Sequence, residues 1–146
     1  LLADEPTKGL DEERRGDVID LFAELSQTCA EERISLLCVT HDLYFAKKIA
    51  THIHVMYAGQ ILDSSGWEAI FQAPLQPFSQ MLMYSLPEHG LQYPKGSAPS
   101  HEEYDGLGCR FAGRCPKAQA GCFREKPPVL AEGERQVRCH HVSQSR

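Results

Sequence analysis

Apolar residues recur along the chain in two rhythms. Leu1-Leu2-Ala3 is a short apolar run that stops at Asp4 and Glu5, and it reads as the tail of a buried strand. Over residues 11–32, Val18, Phe22, Leu25 and Cys29 fall at helical spacing on one face, and charges fill much of the rest. Asp11, Glu12 and Glu13 suit the positive end of that helix's dipole, with Asp11 as the expected N-cap. Residues 34–40 are apolar and partly β-branched, the pattern of a strand buried on both faces. Residues 43–50 predict a short helix. Residues 53–57 and 60–63 predict two strands around a turn at Ala58-Gly59. Strand, helix and strand in this order imply a parallel sheet with a crossover helix.

Beyond residue 63 the rhythm breaks. Ser64-Ser65-Gly66 reads as an interruption, and residues 67–72 and 78–86 as short helices separated by Pro74 and Pro77. Residues 87–108 combine Pro, Gly, Ser and charge without periodicity, as a linker or extended arm would. Residues 109–141 form a small Cys-rich tail. The expected organisation is therefore 1–63, an α/β unit; 64–108, a helical segment and linker; and 109–146, the tail.

Composition narrows the classes. A length of 146 residues suffices for a domain with its own core. The formal charge of −5, with Lys and Arg scattered, argues against a nucleic-acid binder. No apolar stretch approaches the ~20 residues that span a bilayer. The first residues carry Asp4 and Glu5 where a signal peptide has a basic segment. Opening in mid-strand, without Met, leads us to expect a fragment, or a gene product missing its front.

Two strand tips carry the candidate chemistry. Asp4 and Glu5 are adjacent carboxylates at the end of an apolar strand, costly there unless they meet a cation or donors. In a parallel sheet that end faces the crevice where ligands bind. A carboxylate there can hold Mg²⁺ through water, and its neighbour can orient or deprotonate an attacking water. Taken alone, Asp-Glu-Pro-Thr at a helix start reads equally as capping. Thr40-His41-Asp42 follows the next strand, where a His can reach a γ-phosphate; a lone loop His has no such claim. The pair of tips changes the reading, because both would line one phosphate crevice.

Leu1-Leu2-Ala3-Asp4-Glu5-Pro6-Thr7, Gly9-Leu10-Asp11 and Thr40-His41-Asp42 together resemble the second half of an ABC-type ATPase domain, a P-loop NTPase fold. The resemblance implies that Asp4 holds Mg²⁺ through water and that Glu5 polarises the attacking water. It places Asp11, in the D-loop, at the contact between two ATPase domains, and His41 at the γ-phosphate. Residues 55–61 look like the hairpin that follows the switch His. Pro74-Leu75-Gln76-Pro77-Phe78 is similar to the Pro-x-His-Pro-Tyr segment of peptide importers, with Gln76 and Phe78 as departures.

The tail is the most specific signal. Cys109, Cys115, Cys122 and Cys139 are spaced C-x5-C-x6-C-x16-C. With Arg110-Phe111, Pro116, Pro127-Pro128 and His140, they resemble the C-terminal extension of oligopeptide, dipeptide and nickel importer ATPases. Four thiolates suit a tetrahedral metal site. The resemblance implies a [4Fe–4S] cluster in some members. Zinc, with His140 or His141 replacing one Cys, stays open, as does plain packing of four reduced or partly disulfide-bonded Cys. Cys29 and Cys38 are expected to pack.

The sequence holds no G-x-x-x-x-G-K-[ST] phosphate loop, Q-loop Gln or LSGGQ-type signature. The chain alone is therefore expected to hydrolyse no ATP, and its shortened sheet to be prone to association. The resemblance implies an intact subunit on the cytoplasmic membrane face, paired with a second ATPase subunit. There it would use ATP and Mg²⁺ to drive permease subunits supplied by a binding protein. Two alternatives come from other classes: a metal or iron–sulfur module with an ATPase remnant, and a non-transport ABC protein. The wording Lys8-Gly9-Leu10-Asp11 suggests the latter and the Cys-rich tail opposes it.

Overall fold

The structure is a computed structural model that describes residues 1–91, 96–97 and 107–142. It is a mixed α/β chain in two compact units, Leu1–Thr51 and His52–Arg146.

In the first unit, β1 (Leu2–Asp4) pairs in parallel with β2 (Leu37–Val39), in the register Leu2↔Leu37, Ala3↔Cys38, Asp4↔Val39. The ladder continues one residue past each end. Leu37 donates its N–H to the Leu1 carbonyl at 2.9 Å, and Glu5 donates to the Val39 carbonyl at 2.8 Å. The helix α1 (Glu12–Glu31) makes the crossover, and Asp11 caps it by accepting the Arg14 N–H at 2.9 Å. Its apolar face packs on α2 (Leu43–Ile49), where Phe22 meets Phe45 edge-on with ring centroids 5.3 Å apart. Phe45 is fully buried, and Ile19, beside the expected Val18, is the most buried residue of α1.

The strand expected over 34–40 is shorter and more open than its pattern suggests. Leu37 and Val39 are about half exposed, at 56% and 51%, and Cys38, on the opposite pleat, is half-buried. The pleat that carries Leu37 and Val39 is therefore left partly open. Leu1, Leu2 and Ile34 are exposed as well.

In the second unit, β3 (His52–Tyr57) and β4 (Gln60–Gly66) form an antiparallel hairpin. Its turn residues Ala58 and Gly59 have φ of 49° and 76°, the left-handed pair that matches strand twist in two-residue hairpins. Ser64-Ser65-Gly66, expected as a break, belongs to β4 and pairs with His54, Ile53 and His52. Cross-strand pairing overrides the turn propensity of these small residues. The helices α3 (Trp67–Gln72) and α4 (Pro77–Tyr84) follow. Of the expected linker, Pro87–His89 forms a 3₁₀ turn, and most of the rest lies outside the described residues.

The Cys-rich segment carries a 3₁₀ turn at Ala112–Arg114, a short helix α5 (Ala120–Arg124), and the strands β5 (Val129–Glu132) and β6 (Arg135–Arg138). β6 pairs antiparallel with β4 through Asp63↔Val137 and Ser64↔Gln136, giving a sheet ordered β3-β4-β6-β5. Hairpin and tail thus share one sheet. They also share one core, in which Tyr57, Leu62 and Phe111 are buried with Phe78, Met81, Cys109 and Cys115 packed against them.

Candidate active site

Glu5 and His41 lie at neighbouring strand ends. The Glu5 N–H is the last rung of the β1–β2 ladder, which sets its backbone beside Val39. The chain then turns sharply. Glu5 has φ of 47°, and its carbonyl accepts the Lys8 N–H at 3.1 Å. A left-handed Glu is costly and persists where its surroundings over-determine it. On the neighbouring strand, Thr40 and His41 follow Val39 directly, so both side chains leave the sheet at the same edge. The His41 Nδ1 lies 2.8 Å from Glu5 Oε2.

The electrostatics follow from this contact. The His41 ring beside it holds the Glu5 carboxyl below its ordinary value, against a smaller opposing effect of burial. Glu5 Oε2 is buried with no formed hydrogen bond among the described residues, so the approach is an ion-pair distance that an Nδ1–H on His41 would turn into a hydrogen bond, with Nε2 left for another group. The ring is 78% exposed and therefore open to a ligand. Asp4 is exposed on the last residue of β1. Asp11 serves as the cap of α1, with a mostly exposed side chain.

A third carboxylate organises these loops. Asp42, next to His41, is gripped by the Arg15 guanidinium through Nε to Oδ2 and Nη2 to Oδ1, both at 2.7 Å. Asp42 Oδ2 also accepts the Thr7 hydroxyl at 3.1 Å, and Oδ1 accepts the Tyr44 and Phe45 N–H groups at the start of α2, each at 3.0 Å. The Arg15 fork is the largest cause that brings the Asp42 carboxyl down to about 2. The Asp42 N–H donates to Thr40 Oγ1 at 3.0 Å.

In the second unit the tail is fastened to the hairpin. Tyr57, Phe78 and Phe111 form an aromatic trio with centroids 4.8–5.2 Å apart. Arg110 donates to the Ala58 carbonyl in the hairpin turn, and Arg114 Nη1 approaches the Tyr57 hydroxyl at 3.4 Å. All six cysteines are free thiols. Cys109, Cys115, Cys122 and Cys139 gather closely enough to act on one another. Burial first, and then the neighbouring thiols, push Cys109 and Cys115 above the ordinary thiol value. His141 Nε2 lies 3.4 Å from Cys122 Sγ. Among the described residues, however, no group of three or more His, Cys, Asp or Glu is arranged to hold a metal ion. The expectations of an iron–sulfur cluster and of zinc therefore find no support in this geometry. Cys29 is buried and Cys38 half-buried, as packing residues.

The family described as "Oligopeptide/dipeptide transporter, C-terminal region" matches residues 65–122, from the end of β4 through the third cysteine of the tail. The similarity of the chain to known proteins runs further. It is 37% identical over 145 residues to the oligopeptide transport ATP-binding protein AppD of Bacillus subtilis, covering 95% of this chain and 43% of that protein. The dipeptide transport ATP-binding protein DppD of Escherichia coli is 39% identical over 149 residues, at 97% and 44% coverage. Over nearly all of its length the chain is similar to oligopeptide and dipeptide transport ATP-binding proteins. It spans less than half the length of these relatives. A putative peptide import ATP-binding protein of Brucella abortus is similar at 32% identity.

Some of the residues that organise this site escaped the sequence pattern. Arg15 reads as one charge among several on a helix surface, and Asp42 as the companion of His41. Only the fold brings them together. Gln76, noted as a departure from His, is 1% exposed and caps α4 by accepting the Phe78 and Ser79 N–H groups. Pro77 at the first helical position was the start signal that the sequence offered; Gln is not a usual N-cap residue, so the cap itself was not legible. Among the described residues, no helix is long and apolar enough to cross a membrane.

Proposed function

We propose that the chain supplies the water-orienting and phosphate-sensing part of an ATP-hydrolysing subunit of an ABC importer for oligopeptides or dipeptides. The observation that carries this reading is the 2.8 Å approach of His41 to Glu5 at the ends of two parallel strands. It occurs in a chain similar over 95–97% of its length to peptide-transport ATP-binding proteins. In this reading the first unit is the second half of a P-loop NTPase domain, and the exposed Leu1, Leu2, Leu37 and Val39 await cover from the segment carrying the phosphate loop.

The chemistry follows from the side chains. Glu5, held ionised, accepts a proton from the attacking water and aims its lone pair along the line of displacement. His41, with Nδ1 committed to Glu5, presents Nε2 to a γ-phosphate oxygen and donates to it as the imidazolium. The exposed Asp4 carboxylate is a hard oxygen donor suited to Mg²⁺, which would complete its shell with water and phosphate oxygens. When bound, that ion neutralises charge on the phosphates. Asp11 sits at the contact with a second ATPase subunit. The assembly works with permease subunits fed by a binding protein, at the cytoplasmic face of the membrane.

The test joins the chain to the phosphate-loop half of a relative and assembles the product with that relative's permease in vesicles. ATP-dependent peptide uptake supports the reading. Assembly and nucleotide binding without ATP-driven uptake count against it.

A further inference from the structure

A single carboxylate ties together the three segments that define the strand-end site. Thr7 lies in the turn that carries Glu5, Arg15 in the first turn of α1, and Asp42 in the loop that carries His41. The Asp42 side chain accepts hydrogen bonds from Thr7 and Arg15 and from two backbone N–H groups of α2, using both oxygens. It is 9% exposed, whereas the neighbouring His41 ring is 78% exposed. Little of the exposed ring is enclosed by its surroundings. Its backbone is fixed instead by the buried neighbour one residue on. The Arg15 guanidinium also lies over the Tyr44 ring, 5.7 Å from its centroid.

We propose that Arg15 and Asp42 are positioning residues for His41. The bidentate fork sets the loop so that the imidazole meets Glu5 with Nδ1 and turns Nε2 outward. The inference rests on the reading of Glu5 and His41 as the phosphate-facing pair, and adds the device that aligns them. A fork is needed because a planar, two-point grip fixes orientation as well as distance, which a point charge does not. Loss of the fork leaves Asp42 as a helix cap while the loop before it can rotate. α2 therefore survives a substitution that misdirects His41.

The test reads the His41 ring directly, by ¹⁵N–¹H correlation of the ring nitrogens in the whole chain at a pH where the ring is neutral. In the parent chain the Nδ1–H tautomer dominates. In Glu5→Ala it gives way to the Nε2–H form. In Arg15→Met, with the backbone amide spectrum still that of a folded chain, the same loss of the Nδ1–H signal is expected although Glu5 is intact. Arg15→Lys keeps the charge without the fork and loses at least half of that signal. This second variant decides the matter where Arg15→Met does not fold. Retention of the full Nδ1–H signal in a folded Arg15→Met or Arg15→Lys chain overturns the positioning role and leaves the Glu5–His41 pair standing. Absence of the Nδ1–H signal in the parent chain overturns both.

Discussion

His41 Nδ1 stands 2.8 Å from Glu5 Oε2, across a parallel pair of strands whose last rung is the Glu5 N–H itself. The contact is a consequence of register. Asp4 pairs with Val39, so the residues that follow each strand leave the sheet side by side. A slip of one residue would send one of the two side chains to the opposite face. Local pairing therefore brings a carboxylate and an imidazole together before any ligand arrives.

Acid weakens the first unit through Asp42. Its carboxyl falls from the ordinary 3.8 to about 2 in the folded chain. A depressed carboxyl contributes stability that is present above the unfolded value and lost as pH falls through the folded one. Urea unfolding of the parent chain is expected to lose roughly 1–2 kcal/mol between about pH 4 and pH 2 on this account. Asp42→Asn removes that part of the pH dependence. An unchanged acid limb in Asp42→Asn would refute the assignment.

Phe111 joins tail to hairpin. It is 1% exposed between Tyr57 and Phe78. Phe111→Ala should cost about 3–5 kcal/mol in the unfolding of the second unit. Limited proteolysis should then cut within residues 107–142 at a rate at least ten times that of the parent chain, by the arithmetic of 1.4 kcal/mol per decade.

Asp63 and Arg135 tie β4 to β6 from inside. Asp63 is fully buried, and Arg135 Nη2 lies 3.5 Å from its Oδ2. Arg135→Ala leaves a buried carboxylate uncompensated and should cost about 3–5 kcal/mol. The double variant Asp63→Ala with Arg135→Ala should recover part of that loss, and a thermal melt of the three chains measures it.

Gly108 has no room for a side chain. A Cβ there would meet the Phe123 and Cys122 carbonyl oxygens at 2.7 and 2.8 Å. Gly108→Ala is expected to destabilise the second unit by roughly 1–3 kcal/mol, because backbone must shift. Gly113→Ala, whose added Cβ meets nothing within 4 Å, is the control and should melt with the parent chain.

Much of the fold was legible where the signal is local. The amphipathic period gave α1 within a residue at each end, and Ala58-Gly59 gave the hairpin turn. Asp4, Glu5 and His41 were legible as strand tips, because apolar runs ending in chemistry are visible in one dimension. Non-local pairing was not. The strands β5 and β6 are four residues each and take their place from β4, which the sequence alone does not reveal. Ser64 to Gly66 looked like a turn for the same reason: small polar residues reveal strand character only through their partners. The exposure of Leu37 and Val39 was hidden as well, since burial depends on what lies over a strand. Arg15 acts through a carboxylate on another loop, and no spacing rule connects the two.

The central claim is that Glu5 and His41 address one terminal phosphate. It is tested most directly by ATP turnover in the chain joined to a relative's phosphate-loop half. The parent fusion should hydrolyse ATP, and Glu5→Gln and His41→Ala should each lower turnover roughly 10²–10⁴-fold while ATP still binds. The unjoined chain should show no turnover above background. Turnover in the Glu5→Gln and His41→Ala fusions equal to that of the parent fusion would contradict the account.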